Sequence, residues 1–157
     1  MFRLALVFAL LLALQPGSAH AFDPPPGWAV TATPHGYLTL IERLYQSIKD
    51  NKMGVVTRAS ATAGAKKLLG KTIPGNMVVG VYHPRFAVPM LEASIPAGIE
   101  APLRIYVTEN ADGSADLSYK LPSFVFAPYT DGGEELKALA AELDGVFAAI
   151  VEQASAP

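Results

Sequence analysis

An alternation of apolar and polar side chains between positions 103 and 120 constrains the fold of this chain more than any other feature. Every second residue from Leu103 to Val107 is apolar, and polar or amphipathic side chains occupy the positions between them. The sequence Asn-Ala-Asp-Gly at 110–113 provides a turn, after which residues 115–120 alternate again. Successive side chains of a strand point to opposite sides of a sheet, so this segment is predicted to form a hairpin with one core face and one polar face.

Patterns on either side of this hairpin predict a fold of the α+β class. Apolar residues recur at helical spacing in the segments 35–51, 60–69 and 133–153. Strand patterns occupy the segments 28–33, 55–58 and 77–82. A helical turn is expected after Pro84. Residues 122–133 are expected to form an irregular connection between the hairpin and the last helix. This order predicts a two-layer sandwich with a mixed or mainly antiparallel sheet and helices packed on one face.

Three details of these elements make sharper predictions. The continuously apolar segment 77–82 predicts a central strand covered on both faces. Gly80 within it predicts the close approach of another group. In the helix at 60–69, the spacing predicts that Ala61, Ala65 and Leu68 point inward.

The first 21 residues are typical of a secretory signal peptide. Arg3 precedes an unbroken apolar run at 4–14, and residues 19–21 (Ala-His-Ala) have the small-x-small pattern of a cleavage site. The run is much shorter than the roughly 20 residues that span a bilayer. We therefore expect cleavage after Ala21 and a periplasmic or secreted protein.

Domain organisation after this cleavage is expected to be simple. Residues 22–33 read as a proline-rich tether and a first strand, because consecutive prolines at 24–26 favour an extended conformation. Residues 34–157 read as a single α+β domain, since no repeat or second composition appears.

Charge and cysteine content exclude several classes of function. The chain has 12 basic and 14 acidic residues, and removal of Arg3 leaves 11 against 14, a net charge of −3. A nucleic-acid binder has the opposite balance. The chain lacks cysteine, which removes thiolate chemistry, iron–sulfur clusters and thiolate zinc sites. With only His35 and His83 left after processing, we expect no metal site and no cofactor.

Polar side chains concentrate in residues 74–109 of this otherwise apolar chain. The candidate binding residues in and near this stretch are His83, Glu92, Glu100, Arg104, Tyr106 and Lys120. Arg104 is the strongest candidate, because a guanidinium on the polar face of a strand suits a carboxylate, phosphate or sulfate group. The alternative is a structural ion pair between Arg104 and Glu100 or Asp116.

No catalytic motif supports an enzyme over a binding protein. The serines lack a nucleophile-elbow context, and each of them, Ser118 included, is expected to have a turn, cap or surface role. Catalysis by Glu92 or Glu100 with His83, as in a small hydrolase or isomerase, requires the three side chains to converge. We therefore favour a non-catalytic domain that binds a small anion or another protein.

Several short motifs show a resemblance to a known family. Residues 52–56 (Lys-Met-Gly-Val-Val) follow the first helix, 83–87 read His-Pro-Arg-Phe-Ala, 101–103 read Ala-Pro-Leu, and Asp-Gly and Leu-Pro pairs follow at 112–113 and 121–122. From about 37 to 122 the chain resembles the family catalogued as domain of unknown function 302. That family has asparagine where His83 stands and cysteine where Leu103 stands.

The resemblance implies a compact α+β domain that tends to form dimers and has no established reaction. Any role that relatives assign to the cysteine cannot apply to Leu103. The expected partners are accordingly a small anionic ligand or a second copy of the chain. No nucleic acid is expected, and no membrane contact is expected after signal cleavage.

Overall fold

The computed structural model describes residues 22–157, so the signal-peptide prediction lies outside the described residues. The strands are β1 (Trp28–Gly36), β2 (Gly54–Ala59), β3 (Asn76–Tyr82), β4 (Leu103–Glu109) and β5 (Ser114–Lys120). The helices are α1 (Tyr37–Asp50), α2 (Ala61–Leu69), α3 (Pro84–Ala93), α4 (Pro122–Phe126) and α5 (Gly133–Ser155). Two 3₁₀ turns lie at Pro96–Glu100 and Thr130–Gly132.

The strands form one five-stranded sheet in the order β1-β5-β4-β3-β2. Every neighbouring pair is antiparallel. Helices α1 and α5 pack against each other and cover one face of this sheet. The predicted α+β sandwich is therefore confirmed, and the sheet is antiparallel throughout.

The core lies between this face and the two long helices. Val79 of β3 pairs with Ile105 of β4, and Val107 pairs with Leu117 of β5. All four side chains are fully buried. Phe147 of α5 is also fully buried and packs on this layer, its ring centroid 5.5 Å from that of Tyr119. The core face of the predicted hairpin is thus confirmed.

The boundary between β1 and α1 differs from the predicted one. His35 lies in β1 rather than at the start of the helix, because the pairing with β5 continues to Gly36 opposite Ser114. The His35 Nε2 atom is 2.7 Å from the Ala156 carbonyl oxygen. In α1 itself, the spacing predicts an apolar stripe that includes Leu38, Ile41 and Ile48. Ile41 and Ile48 are buried as predicted, whereas Leu38 is 72% exposed and Leu40 is buried instead.

Strand β3 differs from its prediction in position but not in packing at Gly80. It lies second from one edge of the sheet, and β4 occupies the centre. A Cβ atom at Gly80 would lie 2.1 Å from Thr57 Oγ1 and 2.8 Å from Pro102 Cγ. The close approach predicted for this glycine is confirmed.

Helix α2 is the least buried helix and contradicts its predicted orientation. None of its residues is buried, and Leu68 is 78% exposed. Hydrogen bonds rather than an apolar stripe fasten its first turn, where Asn76 Oδ1 accepts from the Ala61 N–H at 2.9 Å. Its small side chains bury too little apolar area to turn the helix onto the sheet.

The remaining helices are longer than the patterns predicted. Helix α3 continues through Pro89 for ten residues, and α4 forms a short helix within the crossing expected to be irregular. Among residues 22–157, no helix combines the length and apolar character needed to cross a bilayer.

Candidate functional site

The sheet face opposite α1 and α5, here called the open face, carries three of the predicted binding residues. Arg104 and Tyr106 alternate with the core residues of β4, and Lys120 does the same in β5. In this register Tyr106 lies opposite Ser118. The three predicted side chains therefore share one face and border one cleft.

This cleft, the open-face cleft, has a volume of about 370 Å³. Its principal lining residues are Trp28, Val78, Arg104, Tyr106, Ser118 and Lys120. Two cationic groups thus border a recess that also has an aromatic wall. The remaining predicted candidates, His83, Glu92 and Glu100, do not line it.

Ser118 lines the cleft and was expected to have a turn, cap or surface role. It is completely buried, because its strand β5 is flanked by β1 and β4. Its hydroxyl has no hydrogen-bond partner among the described residues. The alternating pattern places Ser118 on the same face as Asp116 and Lys120, so its polar face could be predicted. Its burial could not, because burial depends on the neighbouring strands.

Arg104 is only weakly held by its ion pair. Its Nη2 atom lies 3.9 Å from Glu100 Oε2, and its side chain is 58% exposed. An exposed pair at this distance contributes little to stability. The alternative partner Asp116 accepts a hydrogen bond from Asn110 Nδ2 at 2.8 Å. The guanidinium of Arg104 can therefore turn towards a ligand at small cost.

Lys120 lies against the aromatic wall of the cleft. Its Nζ atom is 5.8 Å from the centroid of the Trp28 ring, a cation–π geometry. The ring of Phe22 packs edge-on against Trp28 at 5.7 Å. These contacts hold the ammonium group at the border of the cleft, where an anion can reach it.

Glu100 is tied to two groups at once. The hydroxyl of Tyr129 donates to Glu100 Oε1 at 2.7 Å, while Oε2 faces Arg104. The hydrogen bond to this carboxylate raises the pKa of Tyr129, because it stabilises the protonated phenol. Burial beneath the helices raises the pKa of Tyr119 in the same direction. Glu100 therefore has a structural explanation.

His83 also has a structural explanation, as the N-cap of α3. Its Nδ1 atom accepts a hydrogen bond from the Arg85 N–H at 3.1 Å. Asparagine is a preferred N-cap residue, so the cap made by His83 is a role that an asparagine at this position would also suit. The side chain borders a small apolar cavity of about 30 Å³ beside Phe86 and Phe147, away from the open face.

Glu92 lies in a third location. It is exposed on α3 and borders a groove that also contains Asp131 and Glu135. His83, Glu92 and Glu100 thus occupy three different surroundings, and the convergence that the catalytic alternative requires is not seen in these contacts. Within residues 22–157, no group of three or more histidine, aspartate or glutamate side chains is arranged to hold a metal ion.

A second recess adjoins the cleft on the open face, with Tyr106 bordering both. It contains two further buried polar atoms, Thr108 Oγ1 and Asn110 Oδ1, that have no hydrogen-bond partner among the described residues. Buried polar groups are rarely left without partners. The unpaired buried groups of the described chain thus all lie at this side of the sheet or at its hairpin turn.

Fold and site together define a two-layer α+β protein with a cationic cleft on the uncovered face of its sheet. The sequence model described as "Domain of unknown function DUF302" matches residues 29–154. The chain belongs to this family. No curated protein matches the chain.

A solved structure shows the same fold. The crystal structure of an uncharacterised conserved DUF302 protein from Bacillus stearothermophilus superimposes with a TM-score of 0.74. It is 20% identical in sequence, and the match covers 83% of this chain and 99% of that chain. In this chain Leu103 is buried on the core face of β4.

Proposed function

We propose that this chain is an exported, non-catalytic domain that binds a small anion in the open-face cleft. The observation that carries the proposal is the unpaired, buried hydroxyl of Ser118 in a cleft bordered by the cations of Arg104 and Lys120. A buried hydroxyl without a partner is unfavourable. A bound oxyanion would neutralise the two cations, and a shift of the side chains that cover Ser118 would let it accept the hydrogen bond of this hydroxyl.

The dimensions and charges of the cleft support a ligand of this class. A volume of about 370 Å³ lies at the small end of the range for ligand pockets. Arg104 offers a planar fork of donors that matches carboxylate, phosphate or sulfate oxygens, while Lys120 adds a point charge. The ring of Trp28 can pack on an apolar part of the same ligand.

The proposal excludes catalysis by the carboxylates for a geometric reason. General acid–base chemistry needs groups within hydrogen-bond reach of one reacting atom. Glu100 is already bonded to Tyr129, while Glu92 lies in an acidic groove and His83 caps a helix. Catalysis would require Glu92, Glu100 and His83 to leave these contacts, whereas anion binding in the cleft does not.

Thermal unfolding in the presence of anions tests the proposal. The chain starting at Phe22, which contains every described element, is heated with increasing phosphate, sulfate or acetate. A site that binds only the folded state adds about 2.7 kcal/mol to the free energy of unfolding at 100 times the dissociation constant. Arg104→Ala should lose most of this stabilisation, while Lys137→Ala in α5 should keep it.

If anions raise the unfolding temperature of wild type and Arg104→Ala equally, Arg104 does not contribute to the site. Absence of any shift beyond that of matched chloride would overturn anion binding altogether. A competing assignment treats the open face as a subunit interface. Sedimentation separates the two, because an interface predicts a dimer that Arg104→Ala weakens without any added anion.

A further inference from the structure

The charges of the described chain are unevenly distributed along its sequence. Residues 51–91 contain no acidic residue, and their basic residues are Lys52, Arg58, Lys66, Lys67, Lys71 and Arg85. Residues 121–157 have the opposite balance. Their acidic residues are Asp131, Glu134, Glu135, Glu142, Asp144 and Glu152, against the single cation Lys137. A chain that is net acidic therefore has one strongly basic segment.

The basic segment projects from the domain at α2. The arm formed by residues 60–75, here called the α2 arm, is fastened at its base, where Thr62 Oγ1 accepts from the Asn76 N–H at 3.1 Å. Beyond the base, none of the helical residues is buried. The arm is therefore fixed at its base while its tip stands in solvent.

The tip combines apolar and cationic side chains that have no structural role in the domain. Leu68 is 78% exposed and Leu69 is 69% exposed. Lys66, Lys67 and Lys71 flank them and are all exposed, and none forms an ion pair within residues 22–157. Two adjacent exposed leucines do not contribute to the core, and three unpaired lysines beside them raise the local positive potential.

We propose that the tip of the α2 arm docks the domain on an anionic phospholipid surface. Leu68 and Leu69 would enter the boundary between headgroups and acyl chains, as apolar side chains of interfacial helices do. The three lysines would lie among the lipid phosphates, where each cation contributes on the order of 1 kcal/mol. An orientation in which the acid-rich segment 121–157 faces the membrane is disfavoured, because an anionic surface repels this segment.

A lipid surface suits this tip better than a protein partner does. Specific protein interfaces bury about 800 Å² on each partner, mostly on broad and closely fitting surfaces. A narrow projection of two leucines and three lysines offers much less area, whereas a bilayer accepts a projecting side chain at any point. The proposal replaces the sequence-based expectation of no membrane contact, and it is independent of the open-face cleft.

Vesicle co-sedimentation of the chain starting at Phe22 tests the docking. Binding is expected to vesicles of phosphatidylcholine with phosphatidylglycerol and not to phosphatidylcholine alone. Added salt should release the protein, since it screens exposed charges. The double variant Lys66→Gln with Lys67→Gln should bind about 25-fold more weakly, at about fivefold per lysine. Leu68→Ala with Leu69→Ala should lose at least about tenfold.

Matched variants elsewhere on the surface provide the controls. Lys49→Gln with Lys137→Gln removes the same charge outside the arm, and Ile95→Ala with Ile99→Ala removes two side chains that are 79% and 81% exposed. Both control pairs should bind vesicles like wild type. The proposal is overturned if wild type ignores anionic vesicles, if neutral vesicles bind it equally, or if arm and control variants lose binding alike.

Discussion

The two faces of the sheet contrast sharply although they are built from alternate residues of the same strands. On the helix-covered face, Ile105 and Leu117 are completely buried among other apolar groups. On the open face, their neighbours Tyr106 and Ser118 border a cleft between two cations. Burial alone does not distinguish the two faces at every position, since Ser118 is as inaccessible as Leu117.

Satisfaction of the buried groups is what separates them. Apolar side chains on the covered face need only contact, and α1 and α5 supply it. The buried hydroxyls of Thr108 and Ser118 need partners, and none is found among the described residues. The covered face thus stabilises the fold, while the open face contains buried hydroxyls whose missing hydrogen bonds a ligand is proposed to supply. Four sets of substitutions test this division.

The largest effect is expected from a matched pair of valines in β3. Val79→Ala should lower the free energy of unfolding by about 2–3 kcal/mol, because it removes fully buried methyl groups and leaves a cavity. Val78→Ala, on the half-buried open face, should cost less than about half as much. Urea unfolding of both variants measures the difference. Equal costs would show that the open face is packed as a second core.

A smaller loss of stability is expected at Gly80, where Thr57 and Pro102 already fill the space on the open face. Gly80→Ala should cost about 1–3 kcal/mol, because its Cβ would lie within 2.1 Å of Thr57 Oγ1. Thr57→Ala in the same chain should recover part of this loss, and a double-mutant cycle by urea unfolding measures the coupling. An unchanged stability in Gly80→Ala would contradict the packing between β2 and β3.

His83 tests whether a residue outside the open face is structural. His83→Ala should cost about 1 kcal/mol through loss of the cap on the Arg85 N–H. His83→Asn should restore the cap and most of this stability. Both variants should retain the anion-dependent stabilisation of wild type in thermal unfolding. A loss of that stabilisation in His83→Asn would show that His83 takes part in anion binding.

The smallest change in stability, with a clear functional effect, is expected at Ser118. Ser118→Ala removes a buried hydroxyl without a partner, so the free energy of unfolding should stay level or rise by up to about 1 kcal/mol. Anion-dependent stabilisation should fall in the same variant. Calorimetric titration with phosphate and urea unfolding measure the two effects. A destabilised protein that still binds anions as wild type does would refute this role for Ser118.

Much of this division could be predicted from local patterns. The alternation at 103–120 placed Arg104, Tyr106 and Lys120 on one polar face, and the register of β4 and β5 confirms this. Gly80 was recognised because a glycine in a strand signals a close neighbour. These features depend on the period of a strand, which the order of residues determines directly.

Other features depended on contacts between distant segments. Leu68 was expected inside and is exposed, because helical spacing defines a stripe but not what covers it. His83, Glu92 and Glu100 are near one another in the sequence, yet helix α3 and the following 3₁₀ turn place them in different surroundings. Closeness in sequence was therefore a poor guide to convergence.

The sequence by itself determined the class of fold, the polar face of the hairpin and the family to which the chain belongs, because these follow from periodicity and short motifs. Only the tertiary structure decided that Ser118 is buried without a partner among residues 22–157 and that the α2 arm projects its leucines into solvent. The physical reason is that burial is a property of neighbours. Ser118 is enclosed by its hairpin partner β4 and by β1, which comes from far along the chain, whereas no residue of 22–157 buries Leu68.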